Sequence, residues 1–265
     1  MTSLTFLKLG GSLITDKTSV EAVRFDVLTR LCQEIADFRQ TNPEIKLLMG
    51  HGSGSFGHVA AAKYGTRQGV SSPSEWAGFS EVSSAAARLN RIVVDALQEA
   101  GVPALTLQPS ASVVCENGRI AQIATTPIQH ALDAGLLPVV HGDVAFDTVR
   151  GGTIISTEEV MMAVAETLQP SWLLLAGETA GVLDQNGTII PKITRESLPE
   201  IASALGGSRG TDVTGGMASK VNSMLQLIDE HSQLNIRIFS GLNEGQLRTT
   251  LQNPQSSPGT LLCGK

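Results

Sequence analysis

Two glycine-rich stretches with charged side chains beside them stand out as places where this sequence could do chemistry. The longer is Gly50-His51-Gly52-Ser53-Gly54-Ser55-Phe56-Gly57-His58, which follows the apolar run Ile45 to Met49 and precedes Val59 to Lys63. The apolar run reads as a buried strand, and Val59 to Lys63 as the first turns of a helix. A strand that breaks into glycines before a helix can cradle an anion. Without Cβ atoms the backbone comes close, its N–H groups point at the ligand, and the helix N-terminus adds about half a positive charge. His58, at the end of the run, can hydrogen-bond a phosphate oxygen and gain charge as the phosphate approaches. His51 could as easily be structural, and so could His130, His141 and His231.

The shorter stretch is Lys8-Leu9-Gly10-Gly11-Ser12, whose spacing is neither GxxxxGK[ST] nor GxGxxG. Lys8 lies between Phe6, Leu7 and Leu9 in a strand expected to be central, so it reads as directed along the strand end into a site. Lys17, in the polar stretch Thr15-Asp16-Lys17-Thr18-Ser19, reads by itself as a surface lysine. Asp143, after Gly142, would either cap the next turn or hold ammonium groups in position. Thr214-Gly215-Gly216-Met217-Ala218-Ser219-Lys220 opens a helix, and spacing leaves a solvated Lys220 and a second anion site equally open. Gly177-Glu178 ends another strand. Ligands of open α/β sheets bind outside the carboxyl ends of the strands, so these groups would gather on one rim.

The elements that must position them follow from periodicity. Strands are expected at 5–9, 45–49, 104–107, 136–141, 171–176, 236–241 and 260–263. Helices are expected at 21–39, 73–100, 126–134, 157–168, 195–205, from 211–217 to 230, and at 243–251. Hairpins are expected over 112–123, around a turn at 148–152, and over 181–190 with its turn at Asp184-Gln185-Asn186-Gly187. Strands alternate with helices, and several strands are continuous apolar runs. That pattern predicts an α/β fold, a mainly parallel central sheet between helix layers. No repeat or linker divides the chain, so residues 1–265 are expected to form a single domain.

Composition sets bounds. The 265 residues carry a net charge of −6 with 17% charged residues, which gives no basic surface for nucleic acid or anionic membranes. Cys32, Cys115 and Cys263 are far apart and form no CxxC pair, so they read as reduced thiols of a cytoplasmic protein. No export signal is visible at the N-terminus. No apolar run approaches the roughly 20 residues of a membrane span.

On Lys8 to Ser12, the glycine loop, Gly142-Asp143, Gly181-Val182-Leu183 and Asp212 to Met217 with Lys220, essentially the whole chain resembles the amino acid kinase superfamily. Gly54-Ser55-Phe56-Gly57-His58 is the discriminating segment. With Lys8, Lys17 and Lys220 it most resembles the isopentenyl phosphate kinases; a related histidine occurs in fosfomycin kinases. The resemblance implies the three-layer α-β-α sandwich of that superfamily, a homodimer, an acceptor lobe near 1–170 and an ATP lobe near 171–265. It implies transfer of the ATP γ-phosphoryl to isopentenyl phosphate, with Mg²⁺ held mainly by the ATP phosphates and no protein metal cage. Under it, Lys8 and Lys17 bridge the transferring phosphoryl and Asp143 orients the lysines. His58, Gly57 and the backbone at Ser53 and Gly152 hold the acceptor. Lys8, Gly10, Gly11, Ser12, Gly54, Glu178, Thr179, Gly181, Asp184, Gly216 and Lys220 bind ATP. An acceptor that is already an ionised phosphate needs no general base, so positioning and charge neutralisation suffice.

The chain departs from the pattern at two places: Gly177-Glu178-Thr179-Ala180-Gly181 replaces Thr-Asp-Val-Asp-Gly, and Ser156-Thr157-Glu158-Glu159 stands where relatives carry Gly-Asp-Asp. The first bears on adenine and ribose contacts, the second on local hydrogen bonding. The alternatives are a fosfomycin-type phosphonate kinase and, ranked last because the lysines are present, a non-catalytic nucleotide sensor. Trp76, Phe79, Val82 and Ser83 are candidate pocket walls.

Overall fold

A computed structural model of the protein describes residues 3–57, 64–202 and 216–264. His58 and Asp212 to Gly215 lie outside the described residues.

The main sheet has eight strands in the order β10-β12-β11-β9-β1-β2-β6-β3. Its centre is β1 (Leu4–Leu9), flanked in parallel by β2 (Lys46–His51) and β9 (Trp172–Gly177). Beyond β2 lie β6 (Leu137–His141) and β3 (Ala104–Thr106); beyond β9 lies β11 (Asn235–Ser240), all parallel. The edge is β12 (Thr260–Leu262), antiparallel to β11, with the two-residue β10 (Lys192–Ile193) alongside.

Alternation along the central strands divides the core into two faces. Leu7, Leu9, Leu47 and Met49 face α2 (Phe25–Thr41), α3 (Pro73–Glu99) and α8 (Gln246–Gln252). Phe6 and Leu48 face the other layer, α4 (Thr126–Asp133), α5 (Thr157–Leu168) and α7 (Gly216–Glu230). Lys8 follows Phe6 by two residues and so lies on the α5–α7 side. The expected three-layer α/β fold with a mostly parallel sheet is the observed one.

A second, four-stranded sheet in the order β5-β4-β7-β8 packs beside the first: β4 (Val113–Glu116), β5 (Arg119–Ile123), β7 (Asp143–Asp147) and β8 (Gly151–Ile155). The hairpins at 112–123 and around 148–152 are both antiparallel, as expected, and a parallel β4–β7 pairing joins them. Asn117 and Gly118 both have positive φ, the backbone of a tight hairpin turn. The Asp147 carboxylate accepts N–H groups from Asn117, Gly118, Val149 and Arg150, so it ties the two turns together.

Some expected boundaries shift. The helix expected from 21 begins at Phe25, because a Thr15–Val23 bridge folds the preceding segment back on itself. A helical turn opens at Gly54, where the Ser53 carbonyl accepts the N–H groups of Phe56 and Gly57; the helix expected over Val59 to Lys63 lies outside the described residues. A four-residue helical turn, α1 (Gly11–Ile14), and a short α6 (Leu198–Ala202) complete the described helices.

Candidate active site

The site is built where the carboxyl ends of β1 and β2 meet. In their register Lys8 is opposite Gly50. A Cβ on Gly50 would come within 2.7 Å of Thr157 Cγ2 and 3.2 Å of Met161 Sδ, so the missing side chain is what lets the start of α5 sit on the strand. Thr157 fixes that contact by donating its hydroxyl to the His51 carbonyl at 2.6 Å. The turn of α5 that follows delivers Glu158 to Lys8, Oε1 to Nζ at 3.1 Å. Ser156 and Glu159 close a reciprocal cap at this N-terminus, and Arg67 donates to Glu159 at 3.0 Å.

Burial alone would raise the pKa of the Glu158 carboxyl. The Lys8 and Lys220 ammonium groups and nearby hydrogen bonds outweigh it, and the carboxyl lies below its ordinary value. Two lysines from opposite halves of the sequence thus act electrostatically on one carboxylate, Lys8 by direct pairing. The residue expected to orient the lysines is Asp143. That aspartate, wholly buried at the start of β7, accepts from Val144 N at 2.8 Å, Ser110 N at 3.2 Å and Gln108 Nε2 at 3.3 Å. Its groups are turn-holding, and Glu158 is the carboxylate on Lys8. The signal in the sequence was a pair of acidic residues opening a helix on the same rim as Lys8.

The two glycine turns pack backbone to backbone. A Cβ on Gly11 would lie 2.3 Å from Gly54 N, and one on Gly52 would lie 2.7 Å from Gly11 N. Gly54 has φ +50, and a Cβ there would strike Thr15 Oγ1 at 2.0 Å. Gly10 N donates to the Ala176 carbonyl at 2.7 Å, which joins β9 to the same cluster, with Ser12 following in α1. The loop bearing Lys17 is pinned here as well: Ser55 N donates to Thr15 Oγ1, and Ala22 N donates to Ser55 Oγ. Lys17 itself is exposed on that loop. Ser53, Gly54 and Gly57 lie in the turn after β2, which packs on the turn that follows Lys8 at Gly10 and Gly11; the placement of His58 lies outside the described residues.

Gly152, on β8, has no room for a side chain, since a Cβ would meet Phe79 Cε2 at 2.8 Å. Around it Val70, Phe79, Val82 and Val144 are buried together, with Trp76 packed against them. The half-exposed Phe146 ring closes the group, 5.3 Å from Phe79 and 6.0 Å from Trp76 between centroids. An apolar wall therefore stands on the β7–β8 side.

On the opposite side, Glu178 is paired with Arg24 at 2.9 Å, and Thr179 is exposed beside it. Gly181 is buried against Thr260, whose hydroxyl accepts from Val182 N. The Asp184 carboxylate accepts from Asn186 N and Thr188 N and so shapes its own turn. Gly216 is the first residue of α7, one turn before Lys220. Burial pushes the thiol of Cys32 up to about 12 and that of Cys115 to about 11, so both are held in the unreactive protonated form.

The family model for the amino acid kinase family matches residues 3–240. An isopentenyl phosphate kinase of Methanocaldococcus jannaschii is 36% identical over 228 residues, 83% of this chain and 85% of the relative. One from Methanothermobacter thermautotrophicus is 34% identical over 270 residues, 98% of each. A solved structure of isopentenyl phosphate kinase superposes with a TM-score of 0.81 at 28% identity, covering 98% of this chain and 99% of the other.

Proposed function

We propose that this chain, which belongs to the amino acid kinase family, transfers the γ-phosphoryl group of ATP to isopentenyl phosphate and releases isopentenyl diphosphate and ADP. The observation that carries the reading is Lys8, held by Glu158 at the mouth of two interlocked glycine turns, with the charge of Lys220 also lowering the pKa of that carboxyl. The choice of acceptor is supported by the relatives, which are isopentenyl phosphate kinases over most of their length.

In this reading an oxygen of the acceptor phosphate bonds to the γ-phosphorus as the bond to the β,γ-bridging oxygen breaks. That oxygen is already ionised, so no proton has to be removed, and the site's task is alignment and charge neutralisation. Lys8 and Lys17 face the transferring group, and Glu158 keeps Lys8 from folding onto the phosphate too early. His58 and the amides near Ser53 and Gly152 take the acceptor phosphate. Gly10, Gly11, Gly54, Gly216 and Lys220, with the segment from Glu178 to Asp184, take the nucleotide. Mg²⁺ bound to the ATP phosphates supplies further neutralisation. Lobes 1–170 and 171–265 then serve acceptor and nucleotide respectively, in a cytoplasmic homodimer.

The apolar wall of Trp76, Phe79, Val82 and Phe146 beside Gly152 favours an isoprenoid tail over a small phosphonate such as fosfomycin, which would leave it unfilled. The test is ADP release by purified protein with ATP and Mg²⁺, comparing isopentenyl phosphate, dimethylallyl phosphate, fosfomycin, UMP, acetylglutamate and no acceptor. Turnover confined to the isoprenoid phosphates is expected. Turnover with fosfomycin alone would reverse the reading, and no turnover would return the acceptor to unknown. Sedimentation velocity tests the dimer.

A further inference from the structure

His51 is a buried residue with a complete set of directional contacts, and none of them reaches a substrate. It ends β2, is 1% exposed, and stacks on His141 with ring centroids 5.6 Å apart and planes 4° from parallel. Its Nδ1 is 3.2 Å from the carbonyl oxygen of the next residue, Gly52. Its Nε2 is 3.0 Å from Asn90 Nδ2 on α3, which is 2% exposed. Asn90 Oδ1 in turn accepts the Thr106 hydroxyl of β3 at 2.7 Å.

These contacts leave one arrangement of protons. A carbonyl oxygen only accepts, so Nδ1 must carry the hydrogen. A neutral ring then has Nε2 bare, and it must accept from the Asn90 amide. Asn90 is oriented for that because its own oxygen is taken by Thr106. The neutral state suits the surroundings: burial, then the neighbouring His141, hold the His51 pKa down to about 3.

The consequence lies one peptide further on. The Gly52 carbonyl and the Ser53 N–H belong to the same planar trans peptide, so they point in opposite directions. Whatever fixes the first fixes the second. Gly52 has no side chain to restrain the rotation of this unit, and its own N–H is committed to the Leu9 carbonyl at 2.9 Å. Ser53 N donates to no acceptor among the described residues, whereas the Ser53 carbonyl is committed to the helical turn that follows.

We propose that His51 is a positioning residue: the Thr106–Asn90–His51 chain locks the Gly52–Ser53 peptide so that the Ser53 N–H is presented to the acceptor phosphate. The identity of the bound group rests on the reading given above; the locked peptide does not. Turning this peptide over would replace a donor at the phosphate by a carbonyl oxygen, an attraction by a repulsion. The lock sits on the far side of the backbone from the ligand, so it can be buried and dry while the cradle stays open.

Two measurements test it. The first needs no substrate: long-range ¹H–¹⁵N correlation spectra of the histidine rings, with His51→Asn identifying its signals. At neutral pH a single Nδ1–H tautomer with bare Nε2 is expected. An Nε2–H tautomer, or a mixture, would overturn the lock itself.

The second is kinetic and uses two amides that each mimic one ring nitrogen. His51→Asn places its amide near Nδ1 and keeps a donor for Gly52. His51→Gln reaches toward Nε2, keeps the Asn90 contact and loses that donor. We expect His51→Gln to raise the isopentenyl phosphate KM about five- to tenfold with little change in the ATP KM. His51→Asn should stay within about twofold of the parent. Thermal melts of both variants report whether the fold survives. Equal KM effects in two folded variants would reduce His51 to a packing residue and sink the proposal. Should the parent protein fail to turn over isopentenyl phosphate at all, the acceptor assignment falls, and the tautomer measurement still decides the lock.

Discussion

If Lys8 meets the transferring phosphoryl, as proposed, Lys8 and Glu158 bear on catalysis as well as on stability. The pair is largely buried, Lys8 at 13% and Glu158 at 26% exposure, so its Coulomb energy is offset by the cost of desolvating both charges. Lys8→Met leaves the Glu158 carboxylate without its partner and should cost about 1–3 kcal/mol of unfolding free energy. Removing a fixed charge from a transferring phosphoryl should lower kcat about 100-fold or more. A loss under tenfold would take Lys8 out of the catalytic set. Glu158→Gln keeps the volume and one acceptor but frees Lys8 to swing, and kcat should fall about tenfold. An unchanged kcat would make Glu158 a bystander. The two buried histidines bear on stability instead. Burial and the neighbouring ring hold His51 at about 3, and burial holds His141 at about 4, against an ordinary value near 6.5. The unfolded chain takes up protons there that the folded protein refuses. Stability is thus fully present above about pH 7 and is lost as pH falls through 6.5, at about 1.4 kcal/mol per pH unit for each histidine. Neither ring nitrogen of His141 has a hydrogen-bond partner among the described residues, so His141→Phe retains the stack and should lower the slope between pH 6 and 5 by about 1 kcal/mol per pH unit in urea titrations. An unaltered slope would show that His141 already titrates in the folded protein.

Elements place these groups by what they leave out. Gly50 sits opposite Lys8, and its bare backbone receives Thr157 and Met161 of α5. Gly50→Ala should lift the start of α5 from β2, cost about 1–3 kcal/mol by overpacking, and lower kcat because Glu158 travels with the helix. A destabilised variant with parent-like kcat would show that Lys8 is held without α5. Much of this level was legible in the sequence. The helix at 157–168 was, because a Ser-x-x-Glu cap opens it and apolar spacing carries it. The hairpin at 112–123 was, because Asn117-Gly118 supplies two positive-φ residues in a row. Other features were not. The two residues of β10 are too short to carry a period, and their pairing is with β12, nearly 70 positions away. The Glu158–Lys8 pair spans 150 residues and depends on a glycine's absent side chain, which no local pattern encodes. Asp143 was open for the same reason: a carboxylate after a strand looks alike whether it holds a lysine or a turn.

At the scale of the whole molecule, the parallel sheet brings β1, β2 and β9 to one rim, and the small sheet stands over the β6 side of it. The strand order was not readable in advance, but the shared rim was, because it follows from parallel strands joined by helices. The small sheet adds an apolar surface beside Gly152, on one side of the proposed phosphate cradle. Phe146 projects from β7 with 54% of its surface exposed, against Phe79 and Trp76 of α3. A half-exposed ring is not held there by the core, so its removal should cost little stability, within about 1 kcal/mol. If an isoprenoid tail lies along this wall, Phe146→Ala removes contact from the tail and none from the nucleotide. The isopentenyl phosphate KM should rise about threefold to tenfold while the ATP KM holds. Phe79→Ala opens space next to Gly152, at the deeper end of the wall. It should shift preference toward a longer tail, with kcat/KM for geranyl phosphate relative to isopentenyl phosphate rising about tenfold. Unchanged ratios and an unchanged acceptor KM in both variants would send the tail elsewhere. The aromatic cluster would then be a joint that fastens the small sheet to α3, and its thermal midpoint would be the quantity it governs.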